Sequence, residues 1–124
     1  MSQTLEIVVR DSLFDPSGET RSPERRISPD GKPLYKVHIF LDGMGLLYVR
    51  RATFVLHETF PQPIREVPRT ASNPNCRLTI WSWGIFDVRV IVEDKSSRKY
   101  EFVHRLTYGE EISRTPESQF KSVS

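Results

Sequence analysis

Phe86, Val88, Val90 and Val92 alternate with Asp87, Arg89, Ile91 and Glu93, a period of two that marks an extended strand with one buried face. The same period returns at Leu5, Ile7 and Val9, at Tyr35, Val37, Ile39 and Leu41, at Phe54 and Leu56, at Leu78 and Ile80, and at Tyr100, Phe102, His104 and Leu106. Turn residues separate these runs. Phe14 to Gly18 closes the first, Asp42-Gly43-Met44-Gly45 reads as a hairpin reversal, and Asp94 to Ser97 joins the last two. Leu46 to His57 reads as one long β-rich run with a bend at Arg50-Arg51, and Ile64 to Val67 as a short edge strand. No stretch carries a helical period and no repeat is visible. The pattern predicts an all-β fold, an immunoglobulin-like antiparallel β-sandwich of about seven to eight strands.

A chain of 124 residues can bury one core without staples. We expect a single domain over residues 1–110. Within it, 18–33 is rich in Arg, Ser, Pro, Asp and Gly without apolar periodicity and reads as an exposed loop; 111–124 reads as a polar, disordered tail. Lys and Arg number 18 against 16 acidic residues, a net charge of +2 spread along the chain, which provides no basic footprint for direct nucleic-acid binding. With no signal-peptide pattern and no apolar run of spanning length, a soluble, intracellular protein with no membrane role is expected, cytoplasmic if bacterial and nuclear if eukaryotic.

Several catalytic patterns begin here and fail. His57-Glu58 opens a zinc-protease motif whose second histidine would fall on Pro61, which cannot bind metal. Ser82-Trp83-Gly84 is the second half of a nucleophile elbow, but Ile80 stands where the first glycine belongs. Gly43-Met44-Gly45 lacks the further glycine and the helix of a phosphate cradle. Cys76 is the only cysteine, so an internal disulfide and a cysteine zinc cluster are both excluded, and a lone cysteine beside a loop is expected to be inert. The expectation is no enzyme, no metal and no cofactor.

Two polar, aromatic-bearing turns remain, His57-Glu58-Thr59-Phe60-Pro61 after one strand and Trp81-Ser82-Trp83-Gly84-Ile85-Phe86 after another. The segments TFVLHETFPQPIREV and SWGIF resemble those of the YEATS domain family, a likeness that runs from about Tyr35 to Tyr108. The prokaryotic YEATS-like branch, found in bacterial proteins linked to stress and conflict signalling, is similar to this chain at least as closely. The resemblance implies an immunoglobulin-like sandwich and, in eukaryotic members, an aromatic slot that accepts acetyl-lysine or crotonyl-lysine. Carried over by motif, His57 matches the family histidine, Thr59 its serine, Phe60 and Trp83 the two ring walls, with Gly84 behind and Ser82 where glycine is common; Glu58 and Trp81 are further candidates. An aromatic that some members supply before the second strand has no counterpart in Gly31-Lys32-Pro33.

These residue types suit an acylated lysine, whose amide is flat and uncharged. Phe60 and Trp83 can sandwich it, Thr59 Oγ and the Trp83 N–H can bind the amide oxygen, and His57 can orient Thr59. Two alternatives stand beside this. Trp81 and Trp83 share a face by alternation, and sandwiches of this class bury a tryptophan, so either ring can belong to the core. The domain can also serve as a protein-interaction adaptor with its slot closed or repurposed. The expected partner is an acylated-lysine peptide or protein.

Overall fold

A computed structural model describes residues 5–14 and 22–123. Among these residues, strands β1 (Val8–Ser12), β2 (Glu24–Ile27), β3 (Pro33–Asp42), β4 (Val49–Val55), β5 (Ile64–Pro68), β6 (Leu78–Ser82), β7 (Asp87–Asp94), β8 (Lys99–Arg105) and β9 (Lys121–Ser122) form two sheets. One runs β5-β4-β7-β8, wholly antiparallel; in the other the long β3 pairs with β1 and β2 along one side and β6 along the other, and β9 joins β2 in parallel. The inward residues read from the sequence are the core. Val37, Ile39 and Leu41 of β3, Ala52 and Phe54 of β4, and Val88, Val90 and Val92 of β7 are fully buried in one cluster, each larger side chain contributing roughly 1.5–3 kcal/mol. The bend expected at Arg50-Arg51 is a β-bulge where the β4–β7 register shifts between Val49 and Arg51. Ile64–Pro68 is an edge strand, bonded among the described strands to β4 alone.

Four expectations are corrected. Asp42 to Gly45 is no hairpin, because β3 and β4 belong to different sheets. The chain crosses between them through a 3₁₀ turn, Met44–Tyr48, whose Met44, Leu47 and Tyr48 are exposed; their apolar character is what made the run look like strand. Second, part of the 18–33 loop is a strand: β2 pairs with β3 over Arg25↔Tyr35 to Ile27↔Pro33, while residues 18–21 lie outside the described residues. Third, a helix does form, α1 (Tyr108–Arg114). Fourth, the 111–124 tail holds regular structure over its described residues, 111–123. It carries the end of α1, a 3₁₀ turn at Glu117–Gln119 and β9, and is held by an ion pair between Glu117 and Arg25 and by the Arg25 guanidinium 4.9 Å from the Phe120 ring centroid.

The crossover explains Gly43. Its φ is +121°, and a Cβ there would stand 2.6 Å from the Glu6 carbonyl oxygen of the segment that the Gly45 N–H binds at 2.8 Å. Gly43→Ala is therefore expected to lower stability by about 2–3 kcal/mol in urea denaturation, the cost of a positive φ combined with a backbone clash.

Candidate functional site

The first turn leaves β4 at Leu56, whose N–H binds the Pro63 carbonyl at 2.8 Å and so closes the loop between them. The Arg65 side chain donates to the Gln62 carbonyl at 2.6 Å and to that of Pro61 at 2.8 Å, so the proline segment is clamped from β5. Inside this loop His57 Nδ1 accepts the Thr59 backbone N–H at 3.2 Å, which leaves the ring proton on Nε2. The Thr59 hydroxyl, 2.9 Å from the same nitrogen, must then donate to it. In that arrangement the Thr59 oxygen is left as an acceptor. Phe60 packs on Phe86 with ring centroids 5.3 Å apart, and the His57 ring meets Phe86 edge-on at 6.2 Å.

The second turn crosses from β6 in one sheet to β7 in the other. Ser82 is buried, and its hydroxyl and that of Tyr108, 3.0 Å apart, converge on the Gly84 carbonyl at 2.9 and 2.7 Å. With the Ser82 hydroxyl spent on this brace, Trp83 is held out of the core, 58% exposed. Trp83 is thus no core residue. Neither is Trp81, which lies half-buried beneath the Arg26 guanidinium, 4.5 Å from its ring centroid.

Between the turns lies a cleft of about 110 Å³. His57, Thr59, Phe60, Ser82, Trp83 and Gly84, the six residues singled out by the sequence, all line it; Glu58 and Trp81 do not. Ile85 and Phe86 complete the lining. Phe86, which closes both the second turn and the SWGIF segment, forms the floor, a role its place on the strand face did not show. Tyr108, at the start of the helix that follows β8, supports the wall from behind through its hydroxyl. A larger open depression of about 720 Å³ lies at the far end of β4, lined by Met44, Tyr48 and Asp94 among others. Its one buried carboxylate is already occupied: Asp94 accepts the N–H groups of Ser96 and Arg98 and the Tyr100 hydroxyl.

No three His, Cys, Asp or Glu side chains among the described residues are grouped to hold a metal ion, and no helix among them is long and apolar enough to cross a membrane. Cys76 is fully buried, and burial pushes its thiol up to about 11, which leaves almost no thiolate at neutral pH.

A family model for the prokaryotic YEATS domain matches residues 35–107, and the chain belongs to that family. Among curated proteins it is similar to the Protein AF-9 homolog of Candida glabrata, 36% identical over 62 residues that make up 48% of this chain and 26% of that protein. It is similar also to the Protein AF-9 homolog of Eremothecium gossypii, 33% identical over 73 residues, 54% of this chain and 33% of that protein. The chain therefore matches about a quarter to a third of these relatives' length. Among solved structures it resembles the Yaf9 YEATS domain recognizing an H3K122suc peptide, with a TM-score of 0.54 at 20% identity over 90% of this chain and 81% of the other. The yeast AF-9 homolog protein Yaf9 superposes with a TM-score of 0.54 at 22% identity, covering 82% and 69%. These likenesses establish the YEATS fold, an immunoglobulin-like sandwich, in agreement with the strand pattern.

The wall behind Trp83 is tied to β1 by Asp11. Burial pushes the Asp11 carboxyl up, but hydrogen bonds from His104 and from the Thr107 N–H and hydroxyl, together with the His104 charge, outweigh it and hold the group below its ordinary 3.8. A depressed folded value means that this stability is complete above 3.8 and is lost as pH falls through the folded value. Urea denaturation should show Asp11→Ala about 2–3 kcal/mol less stable than the wild type at neutral pH, with the gap narrowing below pH 3.8.

Proposed function

We propose that this chain is a non-enzymatic module that reads an acylated lysine in the cleft between Phe60 and Trp83. The observation that carries the reading is the Thr59 hydroxyl, held 2.9 Å from His57 Nδ1 in the lining of an aromatic cleft. An amide needs one acceptor for its N–H and one donor for its oxygen. Thr59 Oγ offers the first, and the Trp83 backbone N–H is assigned the second. Rings on either side take the flat group, aromatic contact contributing roughly 0.5–1.5 kcal/mol beyond the area buried. An unmodified ammonium would lose its hydration in a cleft lined by no carboxylate, which disfavours free lysine. Membership of the YEATS family and the recognition of a succinylated peptide by the similar Yaf9 domain support the same reading. So does the chemistry: the Ser82 hydroxyl is consumed by the Gly84 brace and the Cys76 thiol is buried and protonated.

The test is a calorimetric titration with acetyl-lysine, crotonyl-lysine and unmodified peptides. The acylated peptides are expected to bind with a Kd of about 10⁻⁵ to 10⁻⁴ M and the unmodified one not to saturate. Thr59→Val keeps the shape and removes the acceptor, and should weaken acyl binding about tenfold while the protein stays folded. Failure of every acylated peptide at millimolar concentration would refute the reading and leave the adaptor alternative.

A further inference from the structure

Beside the Trp83 wall of the cleft, the loop between β2 and β3 carries a cation. The Lys32 ammonium lies 4.8 Å from the centroid of the Trp83 ring, the exposed wall of the cleft. Its position is built into the fold at two levels. Register comes first: Tyr35 of β3 pairs with Ser82 of β6, so the loop entering β3 and the turn leaving β6 stand side by side at one end of the sheet. Local geometry comes second. The loop between β2 and β3 is closed by the Ser28 N–H on the Lys32 carbonyl at 2.8 Å, the Lys32 N–H on Ser28 Oγ at 3.1 Å and the Gly31 N–H on the Ser28 carbonyl at 2.9 Å. β2 is in turn clamped by the Glu117 ion pair and the Phe120 ring on Arg25.

Among the described residues, the carboxylate shown to feel the Lys32 charge is that of Asp30. Asp30, two residues away, hydrogen-bonds Ser28, a contact that with the Lys32 charge holds its carboxyl below the usual range; Glu58 is exposed on the opposite turn. None of these carboxylates lines the cleft. A lysine ammonium is a compact charge on a flexible stem, able to leave the ring face for a stronger partner arriving along the same wall.

We propose that Lys32 makes the cleft prefer an acyl group ending in a carboxylate, such as succinyl-lysine, over a neutral acyl group of like length, such as butyryl-lysine. The proposal rests on the acyl-lysine reading of the cleft and specifies which acyl class it favours. The succinyl group carries its carboxylate at the end of the chain that lies along Trp83, where the ammonium can meet it. The same cation adds a repulsion against unmodified lysine.

The experiment is a calorimetric titration of the full chain with one peptide carrying succinyl-lysine, butyryl-lysine or free lysine, at low and high salt, with Lys32→Met and Lys32→Glu beside the wild type. Circular dichroism checks that each variant is folded; the Lys32 side chain is exposed on a loop, so neither substitution opens the core. The succinyl peptide is expected to bind about fivefold tighter than the butyryl peptide, the worth of one solvent-exposed ion pair. That ratio should fall toward one at high salt and in Lys32→Met, and invert in Lys32→Glu. Equal or better binding of the butyryl peptide by the wild type would overturn the proposal while leaving the acyl-lysine reading intact, as would a succinyl preference unchanged in Lys32→Met. Absence of binding by both acylated peptides would overturn the two together.

Discussion

One buried carboxylate holds the end of the sandwich that carries the cleft. Asp11 of β1 accepts the His104 Nε2 proton at 2.6 Å, the Thr107 N–H at 2.9 Å, the Thr107 hydroxyl at 3.0 Å and the Tyr108 N–H at 2.8 Å. A helix as short as Tyr108–Arg114 does not stand alone in water, and the Thr107 side chain makes no capping bond of its own. Asp11 supplies the cap from a strand nearly a hundred residues away. Glu111 completes the docking by accepting the Leu13 N–H at 2.7 Å and the Ser12 hydroxyl at 2.8 Å. Once α1 is seated, Tyr108 reaches the Gly84 carbonyl and fixes the turn that presents Trp83. The wall of the cleft therefore depends on a contact outside it.

The cleft exists because the two turns belong to different parts of the sandwich. His57, Thr59 and Phe60 follow β4 within one sheet, whereas Trp83 lies on the crossing from β6 to β7, between the sheets. Phe86 packs against Phe60 and His57 as the chain enters β7, so the floor is continuous with the apolar core; Phe60 is half-buried against that core, while Trp83 stands in solvent. Polar groups at the rim are already committed: His57 to Thr59, Ser82 to Gly84, Arg65 to the proline loop. Such prior commitment lowers the ordering cost that a ligand must meet, which matters where a single side chain supplies the contact.

The core strands were legible because each buries one face, and burial writes a period of two into the sequence. Thr59, Phe60 and Trp83 were legible for a different reason, as residues of two segments shared with a family. What escaped is what depends on long-range partners. Glu-Arg-Arg-Ile of β2 shows no alternation because its one apolar side chain, Ile27, faces solvent at 63% exposure, and the strand is held by β3 and β9. Helix α1 offers only Tyr108 and Ile112 to the core, too few to show a helical period, and its cap comes from Asp11. Lys32 looked like a departure from the family pattern; only the β3–β6 register sets it against Trp83.

In a cleft that reads an acyl-lysine, the acyl amide lies between Phe60 and Trp83 with its N–H on Thr59. A crystal structure of the chain bound to an acyl-lysine peptide is the decisive measurement. The expected complex has the acyl group between the two rings and the amide nitrogen within about 3.2 Å of Thr59 Oγ. An acyl group seated elsewhere, for example in the open depression beside Met44 and Tyr48, would contradict it.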